Sequence, residues 1–158
     1  MNTNPVIVLR AISGAGKSTL AKELARTLVV PTDHGEEPMR YVIVSTDDAF
    51  TDDETGDYTF DASKIGFAHG QCFRRAIEAL QRGHALIVDN TNCSVAEIAP
   101  YMLLAQAYSR PSRIITIRCD VETAVERATH GATREAIEAM HAELEAAVLP
   151  PWWEHEVR

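Results

Sequence analysis

The chain has 158 residues, 46% of them apolar and 24% charged, with a net charge of −8, which suits one domain able to bury roughly two-thirds of its unfolded surface. That charge excludes a protein that coats long nucleic acid through bulk electrostatics, since counterion release needs clustered Lys and Arg, but not a nucleic acid that enters one local basic site. No apolar run approaches the ~20 residues of a membrane-spanning helix, "MNTNP" lacks the basic start and apolar stretch of a signal peptide, and Cys72, Cys93 and Cys119 show no C-x-x-C spacing, so buried thiols in a reducing cytoplasm are expected rather than a zinc site or disulfides.

The first predicted strand is "VIVLR" (6–10), and A-I-S-G-A-G-K-S (11–18) follows it. A phosphate-binding P-loop reads G-x-x-x-x-G-K-[ST]; Gly16, Lys17 and Ser18 fit, while Ala11 stands where the first glycine belongs. A strand before and a helix after make the signal specific. Loop N–H groups from Ser13, Gly14, Ala15 and Gly16 would surround phosphates, and the helix N-terminus adds partial positive charge. Lys17 is expected to reach the β- and γ-phosphates of ATP and Ser18 to bind Mg²⁺, with Thr19 a second hydroxyl inside the helix. Glycine is needed only where φ is positive or a Cβ would collide. Ala11 is therefore expected to have negative φ and to point its methyl away from the nucleotide.

Leu20, Leu24 and Leu28 share a face of the first helix, and "PTDHGEEPMR" (31–40) is expected to be a surface connection. The second strand, "YVIVST" (41–46), runs into Asp47, Asp48 and Phe50. The acidic, turn-rich "TDDETGDYTFDAS" (51–63) would wall an acceptor site. A helix carrying Phe73, Ala76, Ile77 and Leu80 stops near Gly83. The third strand, "ALIVDN" (85–90), ends in Asp89, Asn90 and Asn92. Ser94 and Glu97 have capping-box spacing before a helix bearing Ile98 and Met102. The fourth strand, "RIITIRC" (113–119), meets an N-cap at Asp120, then a face of Val121, Ala124, Val125 and Ala128. A last helix is predicted on Ile137, Met140, Leu144 and Val148, ended by two prolines, with Trp152 and Trp153 of the tail (149–158) packing on the domain.

Strands that are nearly continuous in apolar residues, alternating with amphipathic helices, predict an α/β domain over 1–158. It would be three-layered α/β/α, with a parallel sheet of four or five strands and right-handed crossovers. Ligands of such sheets sit beyond the strands' carboxyl ends. The polar residues collect there, at Ser13–Ser18, Asp47–Asp48 and Asp89–Asn92.

With "LRAISGAGKSTLA", "VSTDDAF", "IVDNTN" and "RATHGATREAIEAM" in order, residues 6 to about 145 resemble the compact P-loop kinases of the polynucleotide-kinase type, related more distantly to zeta-toxin kinases. The resemblance implies that Asp47 is the general base that activates an acceptor hydroxyl, with Asp48 in support. It implies that Asp89 holds a Mg²⁺-bound water and that Asn90 or Asn92 orients the acceptor. The segment about 127–135 looks like the family's short helical lid, R-N-x-H-G, with Ala128 in place of Asn. Arg127 would close over the phosphates, His130 matches the motif, and Arg134 is a second phosphate candidate. His69 lies where the family often has histidine and could line the acceptor site. Arg74 and Arg75 are candidates for an acceptor phosphate.

The implied activity is ATP- and Mg²⁺-dependent transfer of a phosphoryl group to an alcohol. Where polynucleotide kinases place a substrate-holding arginine, three residues after the aspartate, this chain has Phe50, which could stack on a base. The favoured acceptor is therefore the 5-hydroxymethyl group of 5-hydroxymethyluracil in DNA, as in similar short kinases of phage DNA hypermodification, and otherwise a 5′-hydroxyl end. The alternatives are a small-molecule or nucleotide-sugar kinase, favoured by the acidic loop, and a non-catalytic ATP-gated binding module. No membrane partner is expected.

Overall fold

A computed structural model describes residues 3–32 and 34–158; Asp33 of the 31–40 segment lies outside the described residues. β1 (Val6–Arg10) leads through the phosphate loop into α1 (Lys17–Thr27). β2 (Val29–Thr32) and β3 (Gly35–Pro38) then form an antiparallel pair, so the expected surface connection is a small second sheet. β4 (Tyr41–Val44), a 3-10 turn over Thr46–Phe50, and α2 (Ile65–Gln81) follow. They precede β5 (Ala85–Val88), α3 (Val95–Ala107), β6 (Ser112–Thr116), α4 (Val121–Arg127), α5 (Arg134–Ala146) and β7 (His155–Val157).

The main sheet has the order β4-β5-β1-β6-β7, and every pairing in it is parallel. The carboxyl ends of all five strands therefore lie along one edge. Alternation along β1 separates the layers. Val6 and Val8 pack with Val44, Leu86 and Ile114 beneath α2 and α3. Ile7 and Leu9 pack with Ile87 and Ile115 beneath α1. A third cluster joins Ala11, Ile12 and Ala15 of the loop to Ala124 of α4 and to Ile137 and Leu144 of α5. Since each buried aliphatic side chain contributes ~1.5–3 kcal/mol, the sheet's both-faces burial is what selects strands with no polar alternation.

Local signals hold at the helix ends. Ser94 and Glu97 form the reciprocal capping box, and the Asp120 carboxylate accepts from the Thr123 N–H. Gly83, at φ 78°, turns the chain out of α2. β1 keeps its predicted bounds, whereas β4 stops short of its predicted end because Ser45 leaves it to cap the 3-10 turn through the Asp47 N–H. α5 ends at Ala146, so Val148, 86% exposed, is not on its buried face. The tail returns as β7 beside β6. Trp153 packs on the core as expected, whereas Trp152 is 79% exposed.

Arg10, at the end of β1, is a buried cation. Its Nη2 donates to the carbonyls of Cys93 (3.2 Å) and Leu144 (2.6 Å), and its Nη1 to Thr116 Oγ1 (3.4 Å). Burial lowers its pKa.

Candidate active site

The sheet's carboxyl edge opens into a cavity of about 790 Å³. Its floor is the phosphate loop: Ser13, Gly14, Gly16, Lys17, Ser18 and Thr19 all line it. The loop needs its glycines for two separate reasons. Gly16, at φ 93°, is the left-handed N-cap of α1 and has open space around it. Gly14, at φ 83°, has no room: a Cβ there would lie 2.1 Å from the Ala124 carbonyl oxygen. Ala11 has neither requirement. It is absent from the positive-φ residues, fully buried, and its methyl joins the cluster under α4 and α5. Its own N–H donates to the Thr91 carbonyl (3.0 Å). Ala15 is likewise buried in that cluster and reaches the loop only through its backbone.

Lys17 extends from the first residue of α1, and its Nζ donates to the Ile12 carbonyl (3.1 Å). Ser18 Oγ donates to Asp89 Oδ2 (2.7 Å), at the end of β5. Burial pushes the Asp89 carboxyl up, with Ser18 and Lys17 pulling it back, and burial pulls the Lys17 ammonium down, opposed chiefly by Asp89. Burial thus opposes both charges, and each partly offsets the cost of the other.

Asp47, on the 3-10 turn after β4, faces the same cavity. Its Oδ1 accepts from the Tyr58 hydroxyl (3.1 Å), and its Oδ2 lies 3.5 Å from His130 Nδ1. The His130 and Tyr58 rings are in contact, with centroids 4.1 Å apart. His130 belongs to the stretch 128–133 between α4 and α5, which covers the cavity together with Arg127. That cover is a loop flanked by helices rather than a helix itself. Arg127 also borders a second cavity of about 450 Å³, beyond β6, whose walls include Ile12, Arg118, Cys119, Asp120 and His141.

A family model described as an AAA domain matches residues 6–149. The chain belongs to this AAA domain family. Over 104 residues the AAA domain is 36% identical to NEDD4-binding protein 2 of Homo sapiens; the match takes in 65% of the chain and 5% of that much longer protein. A chain of the Pnkp1/Rnl/Hen1 RNA repair complex superposes with a TM-score of 0.70 at 22% identity, covering 92% of this chain and 45% of its own length. A gluconokinase from Sinorhizobium meliloti 1021 gives 0.58 at 12% identity, covering 99% and 83%. The AAA domain thus has a P-loop, kinase-like fold of a family that binds nucleotide. Among the described residues no helix is long and apolar enough to cross a membrane.

Several residues singled out in the sequence stand outside the cavity of the AAA domain. Phe50 cannot stack on a base, because it is buried, with its ring centroid 6.2 Å from that of Tyr58 and 5.1 Å from that of Phe60. Asn92 sits at φ 46° and donates to the Leu9 carbonyl (2.7 Å), bracing the strand edge and not an acceptor. Asp48 points away from the cavity: its Oδ2 accepts from Arg75 Nη1 and from the Ser45 N–H. Arg134 is held by both carboxylate oxygens of Glu122, at 2.5 and 2.9 Å. His69 is exposed on α2 and does not line the cavity. Asn90 does line it, but its Oδ1 is taken by the Thr46 N–H (2.8 Å) and hydroxyl (3.2 Å), joining the ends of β4 and β5. Conversely, Tyr58 and Phe60 line the cavity and had no motif to announce them. The one available signal was two aromatics in an otherwise acidic loop.

Proposed function

We propose that the AAA domain is an ATP-dependent phosphotransferase acting on an alcohol. The observation that carries this reading is that Asp47 shares one cavity with Lys17, Ser18 and the cover residue Arg127. A nucleotide-gated module has no need of a carboxylate poised across from the phosphate loop.

The triphosphate lies on the loop N–H groups and the α1 N-terminus, with Lys17 leaving the Ile12 carbonyl for the β- and γ-phosphates. The second cavity, on the β6 side, takes the nucleoside end, which directs the γ-phosphate toward β4 and β5. Asp47 removes the acceptor's proton as that oxygen bonds to the γ-phosphorus, the β–γ bridge bond breaks, and ADP leaves. Arg127 neutralises charge developing on the transferred group. The Ser18 hydroxyl and Asp89 carboxylate are a pair of hard oxygen donors at the cavity floor, a donor set that fits Mg²⁺. Ser18 and Asp89 would hold the ion, which when bound supplies neutralisation of the phosphate oxygens.

For the acceptor, a hydroxyl on nucleic acid remains the favoured class, with the 5-hydroxymethyl group of 5-hydroxymethyluracil ahead of a 5′-hydroxyl end. Its aromatic contact passes from Phe50 to Tyr58 and Phe60, which border the cavity beside Asp47 and offer faces on which a base can stack. The acidic loop favours a second reading, a small-molecule alcohol. Asp52, Asp53, Glu54 and Asp57 are all exposed on the loop that leads to Tyr58, and their charge would repel a polyanionic strand.

Label transfer from [γ-³²P]ATP with Mg²⁺ tests both. The acceptors are 5′-blocked DNA carrying 5-hydroxymethyluracil, a 5′-hydroxyl oligonucleotide and a UDP-sugar mixture. Asp47→Asn should cost ~10²–10⁴-fold in kcat on the acceptor that is labelled. Undiminished transfer by Asp47→Asn refutes the assignment of the base, and tight ATP binding with no transfer to any alcohol favours the binding module.

A further inference from the structure

The acidic loop is ordered by a specific set of bonds, and they converge on one side chain. Thr51 and Tyr58 pair as an isolated antiparallel bridge, Asp52 N–H donates to the Asp57 carbonyl (2.9 Å), and Thr59 N–H donates to the Phe50 carbonyl (2.9 Å). Thr51 Oγ1 ties the start of the loop to the Asp47 carbonyl (2.9 Å). Buried Phe50 lies between Tyr58 and Phe60 and fixes the angle at which the loop returns. The chain thus leaves Asp47, makes a tight excursion, and comes back to place the Tyr58 hydroxyl on Asp47 Oδ1.

An ionised carboxylate only accepts hydrogen bonds, so in this pair the phenol must donate. Burial, and next the Asp47 charge, push the Tyr58 hydroxyl up to about 12, so it stays a donor throughout the working pH range. One oxygen of Asp47 is therefore committed. The other, Oδ2, faces the cover residue His130 at 3.5 Å and carries no bond to the loop.

We infer that Tyr58 is a positioning residue for phosphoryl transfer: it holds Asp47 by Oδ1, reserves Oδ2 for the acceptor's proton, and through its ring contact with His130 ties the base's orientation to closure of the cover. The inference rests on Asp47 being the base. It assigns the loop a part in the chemistry rather than only in acceptor binding. It also divides the work of one side chain between its hydroxyl, which acts on Asp47, and its ring, which acts on the cover and the acceptor.

A double-mutant cycle separates these roles. Wild type, Tyr58→Phe, Tyr58→Leu, Asp47→Asn and the Tyr58→Phe/Asp47→Asn pair are assayed with Mg²⁺·ATP, following label on the two DNA probes and ADP release with water as acceptor. Tyr58→Phe keeps the ring and is expected to lower kcat about tenfold, as loss of a hydrogen bond to a charged group, with KM for ATP and the melting temperature unchanged. In the Asp47→Asn background the same change should cost nothing further. Tyr58→Leu should add a rise in acceptor KM. A Tyr58→Phe enzyme within twofold of wild type, beside a strongly impaired Asp47→Asn enzyme, overturns the inference alone. So does a Tyr58→Phe loss that persists undiminished in the Asp47→Asn background. Full activity of Asp47→Asn overturns the reading of Asp47 on which it rests.

Discussion

The two left-handed glycines of the phosphate loop can be set against each other as an internal control. Gly14→Ala and Gly16→Ala place the same methyl at φ 83° and 93°, and each incurs the strain of a non-glycine residue in that region, ~1–3 kcal/mol. There the likeness ends. The Gly16 methyl meets nothing within 4 Å, whereas the Gly14 methyl falls 2.1 Å from the Ala124 carbonyl oxygen and 2.9 Å from its carbon. Real contacts of this kind do not fall under 3.0 Å, so the loop and α4 must part by about an ångström. The obstacle is helix backbone, which has no rotamer to change. Overpacking of a close-packed contact adds ~1–3 kcal/mol, giving about 2–6 kcal/mol for Gly14→Ala against ~1–3 kcal/mol for Gly16→Ala. Urea unfolding followed by far-UV circular dichroism measures both. Because α4 carries Arg127 at its end, the displaced helix should also weaken phosphoryl transfer more than Gly16→Ala does. Equal stability of the two variants would refute the reasoning that the loop is seated directly on α4.

Two further substitutions address the loop and its carboxylate. Ala11→Gly restores the motif's first glycine, yet it should leave ATP affinity within twofold by calorimetry and destabilise the fold by ~1–2 kcal/mol, since it removes a buried methyl and adds chain entropy. Asp89→Asn is expected to raise the melting temperature at pH 7, at ~2–4 °C per kcal/mol gained, while weakening Mg²⁺-dependent ATP binding. The sign follows from burial, which lifts the folded carboxyl above its ordinary value. The folded state then binds that proton more readily than the unfolded, so the ionised charge opposes folding. The advantage of Asn should shrink as pH falls through the raised value and vanish below the ordinary 3.8. A melting series against pH on both proteins checks it.

The sequence carried the main sheet well, because a parallel strand buried on both faces must be apolar throughout, and "VIVLR", "YVIV" and "ALIV" admit no other reading as strands. Capping residues marked the helix starts for the same local reason. The β2–β3 pair was illegible, since "GEEP" has none of the composition of a strand and is one only by pairing with β2. β7 was left open, and "HEV" is held by β6 rather than by its own residues. Around the cavity, Lys17, Ser18, Asp47 and Arg127 were legible as neighbours because spaced motifs put them at the strand ends and the cover. The directions of Phe50, Asn92, Asp48 and Arg134 were not legible, because side-chain direction is a tertiary property: Phe50 turns to Tyr58 and Phe60, Asn92 to the Leu9 carbonyl, Asp48 to Arg75 and Arg134 to Glu122. Tyr58 was missed for the converse reason. Its bond to Asp47 spans eleven residues of loop, and no periodicity reports it.

Arg10 sets the mechanics of the cover. Its guanidinium fastens the Leu144 carbonyl, in the last full turn of α5, to the strand that delivers the phosphate loop, and fastens the β5–α3 connection to the same point. A swing of α5 as a rigid arm would strip a buried cation of its acceptors, a loss of several kcal/mol. The far end of α5 is therefore an anchor and not a lever. The part of the cavity's cover outside that anchor is the six residues 128–133, a span flanked by α4 on one side and α5 on the other. Motion of that stretch would be loop motion rather than domain motion.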